Sequence, residues 1–497
     1  MCFKITLSSL LIYGLFFYSL QAQQLEMTPQ AVKTLKYISQ FERPKAKKAI
    51  LKALEENPDN YFFHYLDLLN TAITVASQEN QTAYLQYTRK ADEFIDELEN
   101  HEAELKGNPL YLFSIGEIYC HKGLIQLKNG DHIAGLRSIR KSYVTLKESR
   151  DAFPGFWPNR KYLLAMKAGV GTLPEHFQVV AKIFNVEGNL VDAMEAYDHY
   201  LVEIAKNETY EVWHTESQII YAYLWLHLKN DQQKAWQLID SATRDFDQNP
   251  LKLLIRANTA QKVKKNDEVL KVTQNIEPYN REIPYLSFIK GKAMLYNLDE
   301  EAYAHLKQYT HFFNGDNYIK SANLYLSWHY LLNNDLKNYE AAQFLVRHKG
   351  AEEIGEDKSA LREIDQYYED NVPLLRARML FDGGYYDRAL DTLLVFEPYF
   401  IEDKIEYYYR LGRIYQEQGR TAKALTAYEK ILSDEYGIED YYVPSAYLNA
   451  AYIEEENGNK EAAESHYNNC MKFKNHAYKN AFQQKAKAGI KRLKAKE

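Results

Sequence analysis

The stretch YYRLGRIYQEQGRTAKALTAYEKI at residues 408–431 decides the predicted fold. In its first half, one helical face is formed by side chains at i, i+3, i+4 and i+7, namely Tyr408, Leu411, Gly412 and Tyr415. Gly419 interrupts this spacing and marks a turn, and Thr421 after it is a predicted helix N-cap. The first half is therefore predicted to be a helix that ends near Gly419.

The second half of the stretch resumes the same spacing after the turn. Its apolar positions are Ala424, Ala427, Tyr428 and Ile431. A second helix with this face would fold back onto the first, and the small residues Gly412 and Ala424 would let the two helices approach closely. The stretch is thus predicted to be one helical hairpin.

The hairpin pattern recurs at an interval of about one hairpin. An earlier copy consists of Ala377, Leu380, Gly384, Ala389 and Leu393, and a later one of Tyr447, Ala451, Gly458, Ala463 and Tyr467. More divergent copies extend toward the N-terminus. A single hairpin in a globular domain does not explain this series, whereas a repeat array does.

The quoted residues resemble the tetratricopeptide repeat family, whose 34-residue unit has an aromatic, Leu-Gly, Tyr, Ala and a second aromatic at these offsets. The resemblance implies an all-α solenoid of helix-turn-helix repeats wound into a right-handed superhelix. Such arrays need polar ends. The basic stretch from Lys472 to Lys496 carries an apolar stripe that includes Tyr478, Phe482 and Leu493, so it is predicted to be a C-terminal capping helix.

The chain divides into four predicted segments. Residues 1–22 are predicted to be a signal peptide, because an apolar run at residues 5–20 follows Lys4 and Ala22 offers a small residue for cleavage. Residues 23–348 would form a divergent N-terminal array, and residues 359–497 a C-terminal array with its cap. The acidic segment 349–358, KGAEEIGEDK, is predicted to be a solvated loop and hinge between the two.

The predicted signal peptide and the cysteines together indicate an exported bacterial protein of the periplasm or cell envelope. Cys2 precedes the apolar run and so does not fit a lipidation site, while Cys120 and Cys470 are too far apart in a solenoid to pair. Export without a disulfide framework is typical of the periplasm. After cleavage, no membrane span is expected.

No motif in the sequence predicts catalysis, a cofactor or a metal. The chain has no GxxxxGK(S/T), HExxH, GxSxG or CxxC sequence, and its 14 histidines lack ligand spacing. The formal net charge of −7 gives no reason to expect nucleic acid. A noncatalytic protein without a bound cofactor is therefore predicted.

The resemblance also implies where a partner binds, since first helices of tetratricopeptide repeats line a concave groove. The groove positions carried onto this chain are Arg378, Phe381, Glu406, Tyr409, Arg413, Gln416, Tyr452 and Glu455. Aromatic, Arg and amide side chains suit a protein or peptide segment. A protein-interaction scaffold is the predicted function.

Two alternative functions are open at this stage. One is a glycan-binding component of an outer-membrane nutrient importer, although the chain lacks an anchor cysteine and the Gly-rich insertions of that class. The other is an unrecognised hydrolase that uses the loop at residues 152–160, where Phe153, Phe156, Trp157 and Arg160 are candidate ligand contacts. Packing of this loop over its own helices is the simpler interpretation.

Overall fold

The computed structural model describes residues 25–172, 182, 185–365, 371–432, 441–476 and 478–495, and all the regular secondary structure within these ranges is helical. The predicted all-α solenoid of helical hairpins is therefore confirmed. The predicted signal peptide at residues 1–22 lies outside the described residues. Within the described ranges, no helix is both long and apolar enough to span a bilayer.

The chain forms two compact units. The first comprises the described residues up to Val263 together with 271–286 and 312–316. Its helices are α1 Pro29–Ser39, α2 Arg43–Glu56, α3 Tyr61–Gln78, α4 Gln81–Asn100, α5 Glu102–Leu105, α6 Pro109–Lys128, α7 His132–Ala152, α8 Lys161–Val170, α9 Leu190–Ile204, α10 Glu211–Leu224, α11 Gln232–Ala242 and α12 Pro250–Lys262.

The second unit comprises residues 264–270, 287–311 and the described residues from Asn317 onward. Its helices, three of which extend one or two residues beyond these limits, are α13 Asn266–Val272, α14 Tyr285–Tyr296, α15 Ala302–Phe312, α16 Ile319–Leu332, α17 Leu336–His348, α18 Gly355–Ile364, α19 Val372–Asp382, α20 Tyr386–Leu394, α21 Ile401–Glu417, α22 Thr421–Glu429, α23 Tyr442–Glu456, α24 Lys460–Cys470 and α25 Lys479–Ala495.

The acidic segment 349–358 lies inside the second unit, and its last four residues begin α18. Asp357 in this segment is fully buried. Its carboxylate accepts hydrogen bonds from the backbone N–H of Tyr318 at 2.6 Å and of Ser321 at 2.8 Å, at the start of α16. This carboxylate is thus part of the packing between α16 and α18 rather than of a solvated loop.

The hairpin predicted from residues 408–431 is formed by α21 and α22. Gly419 has φ +71°, a left-handed conformation that glycine adopts without strain, and it makes the turn. Thr421 is the first residue of α22 and Arg420 occupies the cap position, one residue earlier than predicted. Gly412 faces the buried Tyr428, whose ring a side chain at position 412 would overlap. A bulky aromatic opposite a glycine therefore sets the distance between these helices.

Tyrosines supply much of the buried core of both units. Tyr65, Tyr197 and Tyr428 are each completely buried. The Tyr65 hydroxyl donates to Glu117 at 2.7 Å and the Tyr428 hydroxyl to Gln416 at 2.8 Å. In Tyr65 and Tyr428 the ring therefore fills apolar space while the hydroxyl joins two helices.

The C-terminal helix α25 packs on α23 and α24. Ala486 and Leu493 are buried on its inner face, while its lysines are mostly exposed. The ring of Tyr467 from α24 lies where a side chain at Gly489 would be, so the helix approaches closely. The predicted cap of the last repeat is thereby confirmed.

Candidate functional site

The eight predicted groove residues lie on the first helices of three consecutive hairpins of the second unit. Helix α19 carries Arg378 and Phe381, α21 carries Glu406, Tyr409, Arg413 and Gln416, and α23 carries Tyr452 and Glu455. Tyr409 is buried, with 8% of its surface exposed, and the other seven are half-buried. These residues share a place on the first helix of a hairpin, but their individual contacts differ.

Phe381 and Arg413 are brought together with two residues that the sequence did not single out. Lys264 Nζ lies 3.7 Å from the centre of the Phe381 ring, and the Arg413 guanidinium carbon lies 5.3 Å from it. Both cations also pair with Glu417 Oε1, Lys264 at 3.4 Å and Arg413 at 3.3 Å. The four residues form a half-buried aromatic site with two cations and one carboxylate, here called the Phe381 cluster.

The burial of Lys264 in the Phe381 cluster affects its charge. Desolvation lowers the pKa of Lys264, and Glu417 opposes that effect. The Phe381 ring face and the Glu417 carboxylate both favour the ammonium form, and they offset part of the desolvation. Two basic side chains thus share one carboxylate in this cluster.

Tyr409 is buried beside Arg413 and contacts it rather than facing solvent. Its hydroxyl accepts a hydrogen bond from Arg413 Nη1 at 3.3 Å and lies 3.2 Å from Ser445 Oγ. Its ring packs against Tyr442, with ring centres 5.0 Å apart. Tyr409 therefore fixes the Arg413 side chain and joins α21 to α23.

Arg378 is fully engaged within the chain. Its guanidinium pairs with both carboxylate oxygens of Glu363 and stacks 4.6 Å from the Trp328 ring. Burial alone would raise the pKa of Glu363, but Arg378 overcomes this effect and lowers it. The pair is a buried ionic contact, and its guanidinium has little freedom to bind a partner.

The remaining groove residues also have partners within the chain, Glu406 on its own helix and the others on a neighbouring helix. Glu406 pairs with Arg410, and Gln416 accepts from the Tyr428 hydroxyl at 2.8 Å. Glu455 accepts from Tyr467 at 2.7 Å and from Arg492 of the capping helix at 2.8 Å. The Tyr452 ring faces that of Tyr467 at 5.9 Å. Of the eight, Phe381 and Arg413 are the two that combine an aromatic ring with a neighbouring cation in the Phe381 cluster.

An exposed apolar segment follows α20, and the sequence analysis did not identify it. Val395 is 89% exposed, Tyr399 84% and Phe400 65%, and Leu394 and Ile401 at its ends are also exposed. The available signal was a run of large apolar side chains, LVFEPYFI, interrupted by Pro398 and lacking helical spacing. Residues 394–401 are called the apolar segment below.

The alternative site at residues 152–160 is packed against its own unit. Phe156 is buried between the rings of Phe113 and Trp213, at 5.3 and 6.4 Å between ring centres. Arg160 stacks on Trp157, 4.2 Å from its ring. Phe156 and Arg160 are thus engaged by rings of the same unit. Among the described residues, no group of three or more His, Cys, Asp or Glu is arranged to hold a metal ion.

Two profiles of the tetratricopeptide repeat match the chain, one over residues 405–435 and one over residues 444–476. The first match covers most of α21 and all of α22, and the second covers most of α23 and all of α24. No curated protein matches the chain. The repeat identified from sequence therefore coincides with the helices that carry most of the predicted groove.

The chain is similar to several solved structures at low sequence identity and low TM-score. One is a monomeric mutant of IFIT1 with m7Gppp-AAAA, which is 12% identical in sequence. The match covers 89% of this chain and 80% of that chain, with a TM-score of 0.30. The tetratricopeptide domain of P58(IPK) is 12% identical, and the match covers 83% of this chain and 96% of that chain with a TM-score of 0.22. The structure of Naa15/Naa10 bound to HypK-THB is 14% identical, and the match covers 88% of this chain and 67% of that chain with a TM-score of 0.20. At these values they add nothing to what the chain's own residues show.

Proposed function

We propose that this tetratricopeptide-repeat protein is a noncatalytic scaffold whose C-terminal repeats bind a segment of another protein. Proteins built from such repeats are in general interaction scaffolds, and two repeats are present here. The finer proposal is that binding uses the second unit, at the apolar segment and the Phe381 cluster.

The apolar segment is the observation that carries this proposal. Burying a large apolar side chain that was exposed contributes about 1.5–3 kcal/mol. Val395, Tyr399 and Phe400 are all mostly exposed, so a partner that covered them would gain several such contributions. Contiguous exposed apolar surface in soluble proteins marks interaction sites. This supports a protein partner more than a glycan, whose many hydroxyls need polar contacts.

The Phe381 cluster adds chemical selectivity to the proposed interaction. A flat ring flanked by Lys264 and Arg413 suits a side chain or terminus that carries a carboxylate beside an apolar group. Glu417 neutralises only one of the two cations. The proposed partner segment is therefore apolar with an acidic group.

The proposed location of the scaffold is the bacterial cell envelope. The apolar run at residues 5–20 after Lys4, ending near Ala22, supports export. The partner would then be another exported protein or the exported part of a membrane protein.

The test is capture of partners by the tagged full-length protein from envelope extracts after mild crosslinking. Three forms are compared: the native chain, a Tyr399→Ser, Phe400→Ser variant, and a control variant Ile133→Ser, Leu136→Ser. The control removes apolar side chains that are 77% and 63% exposed in the first unit. All three must give the same helical circular dichroism.

A defined protein captured by the native and control forms but lost from the Tyr399, Phe400 variant supports the proposal. An Arg413→Gln variant tests the Phe381 cluster separately. This change removes the charge of the Arg413 side chain and leaves Tyr409 in place. If the Tyr399, Phe400 variant retains the same partners, the apolar segment is not the binding site. If no form captures protein while glycan binding is detected, the scaffold function is wrong.

A further inference from the structure

The first unit contains a cavity of about 450 Å³. Its walls are mainly apolar and are formed by side chains from α1, α3, α6, α10 and α12, including Leu35, Ile73, Leu124, Ile219 and Ile255. This volume lies within the range of roughly 300–1,000 Å³ typical of small-molecule sites. None of the predicted groove residues belongs to this unit.

Charged side chains converge at the inner end of the cavity. Lys161 Nζ lies 2.8 Å from Glu117 Oε1 and 2.5 Å from Glu216 Oε2. Lys161 and Glu117 are 2% and 1% exposed, whereas Glu216 is 35% exposed. Glu216 is therefore the carboxylate of this cluster that a ligand can reach.

The neighbouring hydroxyl groups leave the two carboxylates with spare acceptor capacity. Tyr65 donates to Glu117 Oε2 at 2.7 Å, and Tyr162 donates to Glu216 Oε1. Each carboxylate oxygen can accept two hydrogen bonds. Glu117 Oε1 lies 2.8 Å from Lys161 Nζ but accepts no hydrogen bond from the described residues. Lys161 cannot serve a ligand, because both carboxylates already surround it.

The charge of the cluster is set by one cation between two acids. Burial raises the pKa of Glu117 to about 7 although Lys161 lowers it. Burial alone would raise the pKa of Glu216, but Lys161 and Tyr162 bring that pKa below its ordinary value. Burial lowers the pKa of His121, beside Tyr162, to about 4, so this ring is neutral. Above pH 7 the inner end therefore carries one excess negative charge.

The cavity mouth does not compensate this charge. Its charged residues form neutral pairs, Lys36 with Glu211 at 2.6 Å and Lys252 with Asp245 at 2.7 Å. An apolar ligand without charge would remove water from Glu216 without replacing its hydrogen bonds, which is unfavourable. An anionic ligand would add repulsion. A ligand with an apolar body and one cationic head satisfies both the walls and the inner end.

We propose that this cavity binds a small organic ammonium compound, with its apolar body against the Leu and Ile walls and its ammonium group on the Glu216 carboxylate. The site is separate from the proposed protein-binding surface of the second unit. Failure of either proposal therefore leaves the other standing.

The probe for this site is n-octylamine, titrated calorimetrically into the full-length protein at about pH 8.5. We expect saturable binding at one site, with n-octanol and octanoate at least about tenfold weaker because they lack the cation. Affinity for the amine should fall about tenfold at about pH 5.5, where protonation of Glu117 removes the excess negative charge.

Two variants and one control locate the binding. Glu216→Gln removes the charge that the ligand reaches, and Leu124→Trp fills the mouth at a side chain that is 51% exposed and tolerates size. Each should weaken amine binding about tenfold or more. Glu208→Gln removes an exposed acid outside the cavity and should change the affinity less than about twofold.

Three results overturn the proposal. One is equal affinity for octylamine and octanol, which would indicate apolar partition only. The second is amine binding that survives Leu124→Trp, which would place the ligand elsewhere. The third is the absence of amine binding to a protein with native circular dichroism.

Discussion

Replacing Lys161 by methionine tests whether its ammonium group holds the buried acids of the first unit. The Lys161 side chain is 2% exposed, and its Nζ lies within 2.8 Å of oxygens from both Glu117 and Glu216. Methionine keeps an unbranched apolar stem of similar length and removes the charge. The change therefore isolates the ionic contacts from the packing of α8 against α6 and α10.

The expected loss is about 3–5 kcal/mol near neutral pH, as when one partner of a buried ion pair is removed. The pH dependence follows from Glu117, whose pKa is about 7 when Lys161 is present to lower it. Without Lys161 this pKa rises further, so the folded variant retains a proton that the native protein releases. Each pH unit above 7 should then add about 1.4 kcal/mol to the loss, until the new pKa is reached.

Hydrogen exchange measured by mass spectrometry is the appropriate assay, because a repeat protein of this length need not unfold in one step. The measurement is the opening free energy of peptides from α6, α8 and α10 at about pH 6 and about pH 8. Lys206→Met is the control, since Lys206 is 63% exposed and pairs with Glu203 on the surface. It should cost less than about 1 kcal/mol.

The reasoning would be refuted if Lys161→Met cost no more than the Lys206 control. It would also be refuted if the loss were smaller at pH 8 than at pH 6, because the sign of the Glu117 proton linkage would then be wrong. Protection of α21 and α22, in the second unit, serves as an internal reference and should not change.

Two further predictions concern single side chains. The pKa of Glu117 lies above the ordinary 4.5, so its contribution to stability is complete below about pH 4.5 and is lost as pH rises through 7. Glu117→Gln should therefore remove part of the decline in α6 hydrogen-exchange protection between about pH 5 and 7. An unchanged pH profile of protection would contradict this. Gly412→Ala should destabilise the second unit by about 1–3 kcal/mol, because the added methyl group overlaps the buried Tyr428 ring. Gly107→Ala, which meets no atom within 4 Å, is the control in thermal unfolding, and equal effects of the two changes would show that the ring moves aside.

The helical hairpins could be predicted from sequence because their signals are local. The spacing of apolar residues in 408–431 and the glycine at 419 depend only on neighbours within one or two turns, and α21 and α22 follow them closely. The N-cap of α22 was misplaced by one residue because Thr421 and Arg420 are both compatible with the turn. Local patterns decide which residues are helical more firmly than they decide where a helix starts.

The clusters that bear on function could not be predicted, because their members are distant in sequence. Lys161 and Glu216 are 55 positions apart, and Tyr65 and Glu117 are 52 apart. A charged residue on an amphipathic helix is ordinarily solvated, so nothing in the sequence distinguishes these acids from their exposed neighbours. The prediction of the groove residues was incomplete for the same reason. The repeat offsets locate Arg378 but do not indicate that it forms an ion pair with Glu363.

These buried ionic clusters also bear on how a repetitive chain selects one packing arrangement. Apolar faces of successive hairpins are similar, so sliding one helix past another by a turn exchanges one apolar contact for another. A shift of α8 by a turn would instead separate Lys161 from both Glu117 and Glu216 and leave charges buried without partners. That penalty is on the order of several kcal/mol for each ion. In the second unit the pair of Arg378 with Glu363 joins α19 to α18 in the same way. We therefore expect these ionic contacts to favour one register of helix packing within each unit.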